Sequence, residues 1–178
     1  DDCGSETTSA TFTIEDTTAP VIGTEASNET VECDGAGNTA ALNAWLAANG
    51  GASASDVCSD VTWSNDFVAL TDDCGATGTA TVIFTATDDC GNEATTSASF
   101  TIIDTTPPTI DTDAADSTVE CDGAGNVGSI NAWLAGNGGA TASDLCSNNV
   151  TWTNNYNGLT AGCVATGSAM VTFTATDA

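Results

Sequence analysis

The sequence predicts a mostly β fold made of tandem repeats, each with one short inserted α-helix. Two observations carry this prediction: segments in which apolar and polar residues alternate, and near-identical blocks that return about 88 residues later. A third is the presence of eight cysteines and no histidine in 178 residues, which favours disulfides over a zinc site. We therefore expect a β protein that is cross-linked by disulfides.

The clearest element is a predicted β-hairpin over residues 79–102. The apolar face of its first strand consists of Ala80, Val82, Phe84 and Ala86, which alternate mostly with threonine. The apolar face of its second strand consists of Ala98, Phe100 and Ile102. Residues 89–92 between the strands, Asp-Cys-Gly-Asn, are typical of a turn. Because each strand has one apolar side, we expect the hairpin to bury that side.

Three sequence blocks define the repeat. Residues 31–38 return unchanged at 119–126, an offset of 88. Residues 43–47 return at 131–135 with the same offset, and Val61-Thr-Trp returns at 150–152 with an offset of 89. The extra residue lies between Cys146 and Val150.

These offsets divide the chain into a last strand (residues 1–18), a complete repeat (19–106) and a second repeat that lacks its final strand (107–178). Ala10, Phe12 and Ile14 correspond to Ala98, Phe100 and Ile102. Either the chain is a window of a longer array, or residues 1–18 of one subunit complete the sheet of its neighbour. Both explanations predict continuation from end to end.

The other elements of a repeat follow from local signals. Prolines stiffen the linkers 16–20 and 104–108, and a first strand is expected to end near Cys33. A later strand is expected over residues 61–70, before a turn at 72–75.

A short helix is predicted between these strands. Leu42, Trp45 and Leu46 have helical spacing, with Asn38 as the expected N-cap and Gly50–Gly51 as the expected end. The second repeat has the same pattern in Ile130, Trp133 and Leu134, followed by Gly138–Gly139. The tryptophans are expected to pack in the core, the alternative being a platform that binds sugars.

The charge of the chain excludes several functions. It has 25 acidic residues and no lysine or arginine, for a net charge of -25. Without basic residues the chain cannot neutralise nucleic-acid phosphates. It also has no apolar run that would insert into a membrane. Without histidine, lysine or arginine it also lacks the usual general bases and oxyanion clamps, so we expect no enzymatic activity and no catalytic residues.

Several motifs resemble the HYR (hyalin repeat) modules of secreted bacterial proteins. They are Asp-Thr-Thr-Pro-Pro at 104–108, Thr-Val-Glu-Cys at 30–33, Asp-x-Cys before Val-Thr-Trp at 56–63, and Phe-Thr-Ala-Thr-Asp-x-Cys-Gly-Asn at 84–92. The resemblance implies an immunoglobulin-like β-sandwich in an adhesin stalk or a cell-surface array. The helical insert at 38–51 and the absence of an additional cysteine pair depart from the common module.

The spacing of the cysteines ranks the possible disulfides. Cys74 and Cys90 lie at opposite ends of a strand, roughly 30 Å apart at about 3.3 Å per residue, which is too far for a bond. We therefore favour Cys58 with Cys90 and Cys33 with Cys74, and the runner-up pairs Cys33 with Cys58. By equivalence, the second repeat is expected to pair Cys121 with Cys163, and Cys146 with Cys3 of an adjacent segment.

Carboxylates near the ends of the repeats are candidate calcium ligands, the alternative being a solvated acidic surface. The candidate metal ligands are Asp16, Asp60, Asp88, Asp89, Asp104, Asp144 and Asp177. Thr17, Thr105 and Ser117 follow an aspartate in a pattern that resembles bacterial O-glycosylation. No cofactor is required, although Ca²⁺ at the junctions between repeats would relieve repulsion.

The sequence thus predicts a secreted structural unit of a bacterial filament or adhesin stalk at the cell surface. Its expected partners are copies of itself or adjacent repeats, joined end to end by strand completion and disulfides, and a surface glycan or a cell-surface anchor. The alternative is a calcium-dependent adhesin module that binds a glycan or a protein partner. A third reading is an accessory domain of a secreted hydrolase.

Overall fold

The computed structural model describes residues 3–71, 73, 75–162 and 166–177. The chain is mostly β, with two short helices, α1 (Thr39–Ala47) and α2 (Val127–Ala135). The strands up to residue 106 are β1 (Val21–Thr24), β2 (Glu29–Glu32), β3 (Ser53–Ser55), β4 (Val61–Asn65), β5 (Gly78–Asp88) and β6 (Glu93–Ile103). The later strands are β7 (Thr109–Thr112), β8 (Thr141–Ser143), β9 (Thr151–Asn154), β10 (Thr160–Ala161), β11 (Gly167–Ser168) and β12 (Phe173–Thr176).

The predicted hairpin is the centre of the first repeat. Strands β5 and β6 pair antiparallel from Gly78 opposite Ile102 to Thr87 opposite Glu93. Their alternating apolar residues all point to the core, which confirms the predicted faces. The buried residues are Ala80, Val82, Phe84, Ala86, Ala98, Phe100 and Ile102.

Strand β6 lies inside a four-stranded sheet of order β2-β6-β5-β4. It pairs antiparallel with β5 and parallel with β2, where Glu29 lies opposite Phe100 and Glu32 opposite Ile103. Because both of its edges are hydrogen-bonded, β6 joins β2 to the rest of the sheet. A second, two-stranded sheet pairs β1 with β3.

Helix α1 closes the core of the first repeat, as the sequence predicts. Leu42 and Trp45 are buried, and the Trp45 ring lies 5.2 Å from the Phe84 ring and 5.6 Å from the Phe100 ring, between centroids. The indole Nε1 donates a hydrogen bond of 3.1 Å to the carbonyl of Ser27, so the polar atom of this buried ring is paired. This tryptophan is a core residue.

Asn38 occupies the expected N-cap position of α1, but its side chain does not cap the helix. Asn38 has a left-handed backbone with φ 49°, and its side chain makes no capping hydrogen bond. It donates instead to the carbonyl of Glu32 at 2.8 Å and accepts from the N–H of Asp34 at 3.1 Å. These two hydrogen bonds hold the loop between β2 and α1 against the end of β2.

The second repeat forms smaller sheets. Strand β7 pairs with β8, β9 with β12 and β10 with β11, each as two strands. The Trp133 ring lies 5.3 Å from the Phe173 ring, which reproduces the contact of Trp45 with Phe84. Phe173 is nevertheless half-buried, and no residue of α2 is buried. In the described part of the second repeat, no strand occupies the position of β6.

Neither helix in the described ranges has the length and apolar character needed to cross a membrane.

Candidate functional site

An open groove lies in the second repeat where the first repeat holds β6. It is a cavity of about 400 Å³ lined by residues 116–119 and 121, by α2 and the two residues before it, and by residues 156, 159 and 166–169. Its lining includes Val119, Trp133 and Ala169. These correspond to Val31, Trp45 and Ala80, which lie opposite Ile102, beside the Phe100 ring and opposite Phe100. The groove is therefore lined by the counterparts of the residues that hold β6.

A segment that matches β6 lies exposed near the start of the chain. Residues 4–20 form neither helix nor strand. Phe12 is 88% exposed and Ile14 is 87% exposed, whereas their counterparts Phe100 and Ile102 are buried. Two large apolar side chains are thus exposed in a segment whose sequence matches a buried strand.

The structure also shows how two repeats meet. A disulfide joins Cys33 to Cys146, with their Cα atoms 6.0 Å apart. The N–H of Ala76 donates a hydrogen bond of 2.8 Å to the carbonyl of Cys146. Gly75 lies directly against that carbonyl, so that a side chain there would overlap it. The loop around Cys146 is thus docked on the end of the first repeat.

The docked loop is held by an aspartate turn. Asp144 Oδ1 accepts hydrogen bonds from the N–H of Cys146 at 2.7 Å and from that of Ser147 at 2.8 Å, and both of these residues are buried. The first repeat forms the same turn, in which Asp56 Oδ1 accepts from the N–H of Cys58 at 2.7 Å and of Ser59 at 3.2 Å. There Cys58 is exposed.

Glu32 anchors the linker between the repeats. Its carboxylate accepts hydrogen bonds from the N–H of Thr105 at 2.8 Å, from the hydroxyl of Thr105 at 2.9 Å and from that of Thr106 at 3.0 Å. The bonds from Thr105, and then that from the Thr106 hydroxyl, hold the pKa of Glu32 below its usual value. The linker therefore leaves β6 in a defined direction.

The bond between Cys33 and Cys146 corrects two predicted pairs, Cys33 with Cys74 and Cys146 with Cys3 of an adjacent segment. The prediction for Cys33 considered partners within one repeat, whereas the chain brings a loop of the next repeat to this end. Cys74 and Cys163 lie outside the described residues, so the pair of Cys121 with Cys163 stays a prediction.

The predicted pair of Cys58 with Cys90 also stays a prediction. Both are exposed thiols in this structure. Partial desolvation, followed by the charges of Asp16, Asp88 and Asp89, raises the pKa of the Cys90 thiol, and Cys58 adds a smaller contribution. The residues next to the two cysteines meet, since the N–H of Asp89 donates a hydrogen bond of 3.2 Å to the hydroxyl of Ser59.

Two groups of oxygen and sulfur atoms lie at equivalent places beside the linkers. Ligand atoms of Asp16, Asp56 and Cys58 lie within 4.8 Å of one another, and so do those of Asp104, Asp144 and Cys146. Asp16 Oδ2 is buried and has no hydrogen-bond partner in the described part of the chain.

Of the predicted metal ligands, only Asp104 and Asp144 meet in one of these groups. Asp16 meets Asp56 and Cys58 instead. Asp56 is the counterpart of Asp144 at an offset of 88, so the repeat could have indicated it. The other candidates, Asp60, Asp88, Asp89 and Asp177, belong to neither group. The Asp88 carboxylate is partly desolvated, but hydrogen bonds from the side chain and backbone of Asn92 and from the backbone of Cys90 hold its pKa below the usual value.

Calcium binds through six to eight oxygens, so neither group by itself is a complete calcium site. Calcium at the junctions stays a prediction.

The predicted glycosylation sites and one of the predicted core tryptophans remain to be placed. Thr17, Thr105 and Ser117 are all exposed. The Thr105 hydroxyl is engaged by Glu32 at 2.9 Å. Trp63 packs against the core of the first repeat, as expected.

The chain was compared with known proteins. No protein-family model matches it, and a search of curated proteins finds no relative.

Proposed function

We propose that this chain is a structural unit of an extracellular filament or adhesin stalk, built from immunoglobulin-like repeats that assemble end to end. In this assembly, residues 5–15 of one copy fill the open groove in the second repeat of the preceding copy. The position of β6 carries the proposal. The groove is lined by counterparts of the residues around β6, and the exposed segment is the counterpart of β6 itself.

The pairing of β6 predicts the register of the inserted segment. Phe100 lies opposite Ala80 and Ile102 lies opposite Gly78 in the first repeat. The same register places Phe12 opposite Ala169 and beside Trp133 of the preceding copy. Strand addition of this kind supplies backbone hydrogen bonds along both edges and buries the alternate apolar side chains.

A side-chain anchor supports the same arrangement. Glu120 is the counterpart of Glu32, and Thr17 and Thr18 are the counterparts of Thr105 and Thr106. Because Glu32 accepts three hydrogen bonds from its two threonines, Glu120 of one copy is expected to accept three from Thr17 and Thr18 of the next.

Assembly has to overcome electrostatic repulsion. Each copy carries a net charge of -25 and has no basic residue with which to form an ion pair. Repulsion between exposed charges is screened within about 10 Å at an ionic strength of about 0.1 M. We therefore expect salt to promote assembly, in contrast to interfaces held by ion pairs.

Disulfides and the composition support an extracellular location. The Cys33–Cys146 bond is of the kind that persists in oxidising compartments. A mechanical role also agrees with a chain that offers no usual catalytic base.

The alternative is a calcium-dependent adhesin module, and the two groups that contain Asp16 and Asp104 favour it. The two functions differ in what calcium does. Glycan binding that disappears on chelation supports the adhesin, whereas assembly that is unaffected by chelation supports the filament.

The experiment that tests the proposal compares the chain with Phe12→Asp by light scattering after size exclusion and by negative-stain electron microscopy. We expect end-to-end multimers of the unaltered chain and monomers of the variant, because a charge cannot enter the apolar groove. Val68→Asp is the control, since Val68 is equally exposed but lies outside the segment. Multimers of Phe12→Asp would contradict the proposal.

A further inference from the structure

We infer that the joint between two copies has the geometry of the joint between the two repeats of one copy, with the turn at residues 56–59 packed on the loop at 119–126 of the preceding copy. The inference rests on the proposed end-to-end assembly and assigns its contact surface. The partner is a second copy of this chain, because the equivalent turn and loop already meet at the internal joint.

The loop that receives the turn is present twice with one geometry. Residues 31–38 and 119–126 are identical in sequence, and we call them the receiving loops. The Asn38 side chain donates a hydrogen bond of 2.8 Å to the carbonyl of Glu32 in the first loop. In the second loop the Asn126 side chain donates one of 2.8 Å to the carbonyl at the equivalent position. The two receiving loops are therefore closed in the same way.

The two receiving loops differ in what covers them. A Cβ built on Gly35 would lie 2.7 Å from the carbonyl oxygen of Leu145 and 2.9 Å from its Cδ1 atom. A Cβ built on Gly123 would meet no described residue within 4 Å. The two glycines have nearly the same φ, 71° and 75°. The second receiving loop therefore has the shape of the occupied loop and an open surface at Gly123.

The docking turn is also present twice, at residues 56–59 and 144–147. Each turn begins with an aspartate whose Oδ1 accepts hydrogen bonds from the N–H groups two and three residues later. Val57 is fully exposed, whereas its counterpart Leu145 touches Gly35. The first repeat thus presents a second, exposed version of the turn that packs at the internal joint.

The linkers in front of the two repeats lie against these turns in the same way. Asp16 lies beside the first and third residues of the turn at 56–59, and Asp104 lies beside those of the turn at 144–147. Each linker aspartate also accepts a hydrogen bond of 3.1 Å from the N–H two residues later. Each docking turn therefore has the same position relative to the linker of its own repeat.

The inserted strand would bring the exposed turn to the open loop. In the first repeat, β6 ends beside the receiving loop, where the N–H of Cys33 donates a hydrogen bond of 2.8 Å to the carbonyl of Ile103. Glu15 is the counterpart of Ile103 and directly precedes the linker. Insertion of residues 5–15 would therefore end at the open receiving loop of the preceding copy, with the linker and its docking turn beside that loop.

One contact of the internal joint differs between the two ends. Gly75 lies directly against the carbonyl of Cys146. Val164 stands at the place of Gly75 in the second repeat, and it lies outside the described residues. Packing on the receiving loop, and not contact at residue 164, therefore defines the joint between copies.

Equivalent joints have a consequence for the whole filament. Every repeat would be related to the next by the same rotation and the same rise, whether the two repeats belong to one copy or to two. The step of the filament would thus be one repeat and not one chain.

Cryo-electron microscopy of filaments of the unaltered chain compares the two joints directly. We expect the rotation and the rise between repeats of neighbouring copies to equal those between the repeats of one copy, with Val57 over Gly123. Two different joints in well-formed filaments would overturn the inference and leave strand completion intact.

Gly123→Ala tests the contact by substitution. Its methyl group would occupy the place of the incoming turn, so we expect the concentration needed for assembly to rise by about tenfold in light scattering. Gly125→Ala is the matched control, because Gly125 also has a left-handed backbone, with φ 86°. A Cβ built on its counterpart Gly37 would meet no described residue within 4 Å, although the first repeat holds its strand and its docked turn. We expect the control to assemble like the unaltered chain and both variants to unfold alike as monomers.

The outcomes separate this inference from the proposed function. Filaments that form equally well with Gly123→Ala and with the unaltered chain would overturn the inference alone. Equal weakening by Gly123→Ala and Gly125→Ala would also overturn it, because assembly would then depend on the backbone of the loop and not on the contact. Absence of filaments of the unaltered chain would overturn the proposed function, and the inference with it.

Discussion

Phe100 and Phe12 occupy the same position in two versions of one strand, yet Phe100 is fully buried and Phe12 is 88% exposed. Phe100 lies in a sheet that hydrogen-bonds both edges of its strand, against the ring of Trp45. Phe12 belongs to a segment without regular structure. In the proposed assembly, the groove beside Trp133 would give Phe12 an environment like that of Phe100.

Truncation of these two phenylalanines is expected to have opposite effects. Phe100→Ala removes a fully buried ring and is expected to lower the free energy of unfolding of the first repeat by about 3–5 kcal/mol. Phe12→Ala removes an exposed ring, so the stability of the isolated chain is expected to stay unchanged while assembly weakens. Urea unfolding and light scattering measure the two effects. Equal destabilisation by both substitutions would contradict the assignment of Phe12 to an intermolecular contact.

Loss of the junction disulfide is expected to destabilise the chain even without assembly. The bond closes a loop with a sequence separation of 113 residues. The loop-entropy relation then predicts that Cys33→Ser costs about 4–5 kcal/mol. Urea unfolding without reductant measures the loss. Cys58→Ser is the control and is expected to leave the unfolding of the monomer unchanged.

Two glycines provide a matched test of the docked loop. Gly35→Ala and Gly123→Ala should share a backbone penalty of about 1–2 kcal/mol, because both positions have a left-handed backbone. Only Gly35→Ala also forces Leu145 away. We expect it to be the more destabilising of the two in thermal unfolding of the monomer. Equal losses would show that the loop is not docked in solution.

The anchor at Glu32 is expected to depend on pH. Its pKa is below the usual value in the folded chain because the threonines of the linker hydrogen-bond the charged form. Its contribution to stability is therefore complete above the unfolded value of about 4.3 and is lost as the pH falls through the lower, folded value. Protonation of the other carboxylates relieves repulsion and opposes this trend, so the informative quantity is a difference between variants.

Glu32→Gln supplies that difference. We expect it to be less stable than the unaltered chain at neutral pH, with the gap closing below about pH 4. Chemical unfolding across this range measures it. Glu120→Gln is the control. In the proposed assembly Glu120 binds threonines of another copy, so its substitution is expected to leave the stability of the monomer unchanged. A gap that does not change with pH would contradict the role of the Glu32 carboxylate.

Local patterns predicted the hairpin and the helix well. The alternation in β5 and β6 and the helical spacing of Leu42 and Trp45 each depend on neighbours within about ten residues, and the burial of these residues confirms them. Asn38 takes the predicted N-cap position, but its backbone is left-handed and its side chain bonds Glu32 and Asp34 instead of capping the helix. The spacing of cysteines could not predict the bond of Cys33 with Cys146, since its partner lies in another repeat.

The candidate site was predictable in outline. Comparison of residues 10–14 with 98–102 identifies the spare strand from sequence. The groove that matches it could not be located from sequence, because it is formed by the packing of α2 against strands that lie far apart in the chain. By contrast, the repeat places Asp56 at the position of Asp144, so its contact with Asp16 could have been predicted.

Binding of the spare strand to the groove is tested most directly by calorimetric titration under reducing conditions. A synthetic peptide of residues 3–18 is added to the Phe12→Asp chain, whose own segment cannot compete but whose groove is unaltered. The account predicts saturable binding of one peptide per chain, with a change in tryptophan fluorescence from Trp133, and no binding of the same peptide with Phe12→Asp. Absence of binding by the natural peptide, or equal binding by both peptides, would contradict assembly by strand completion.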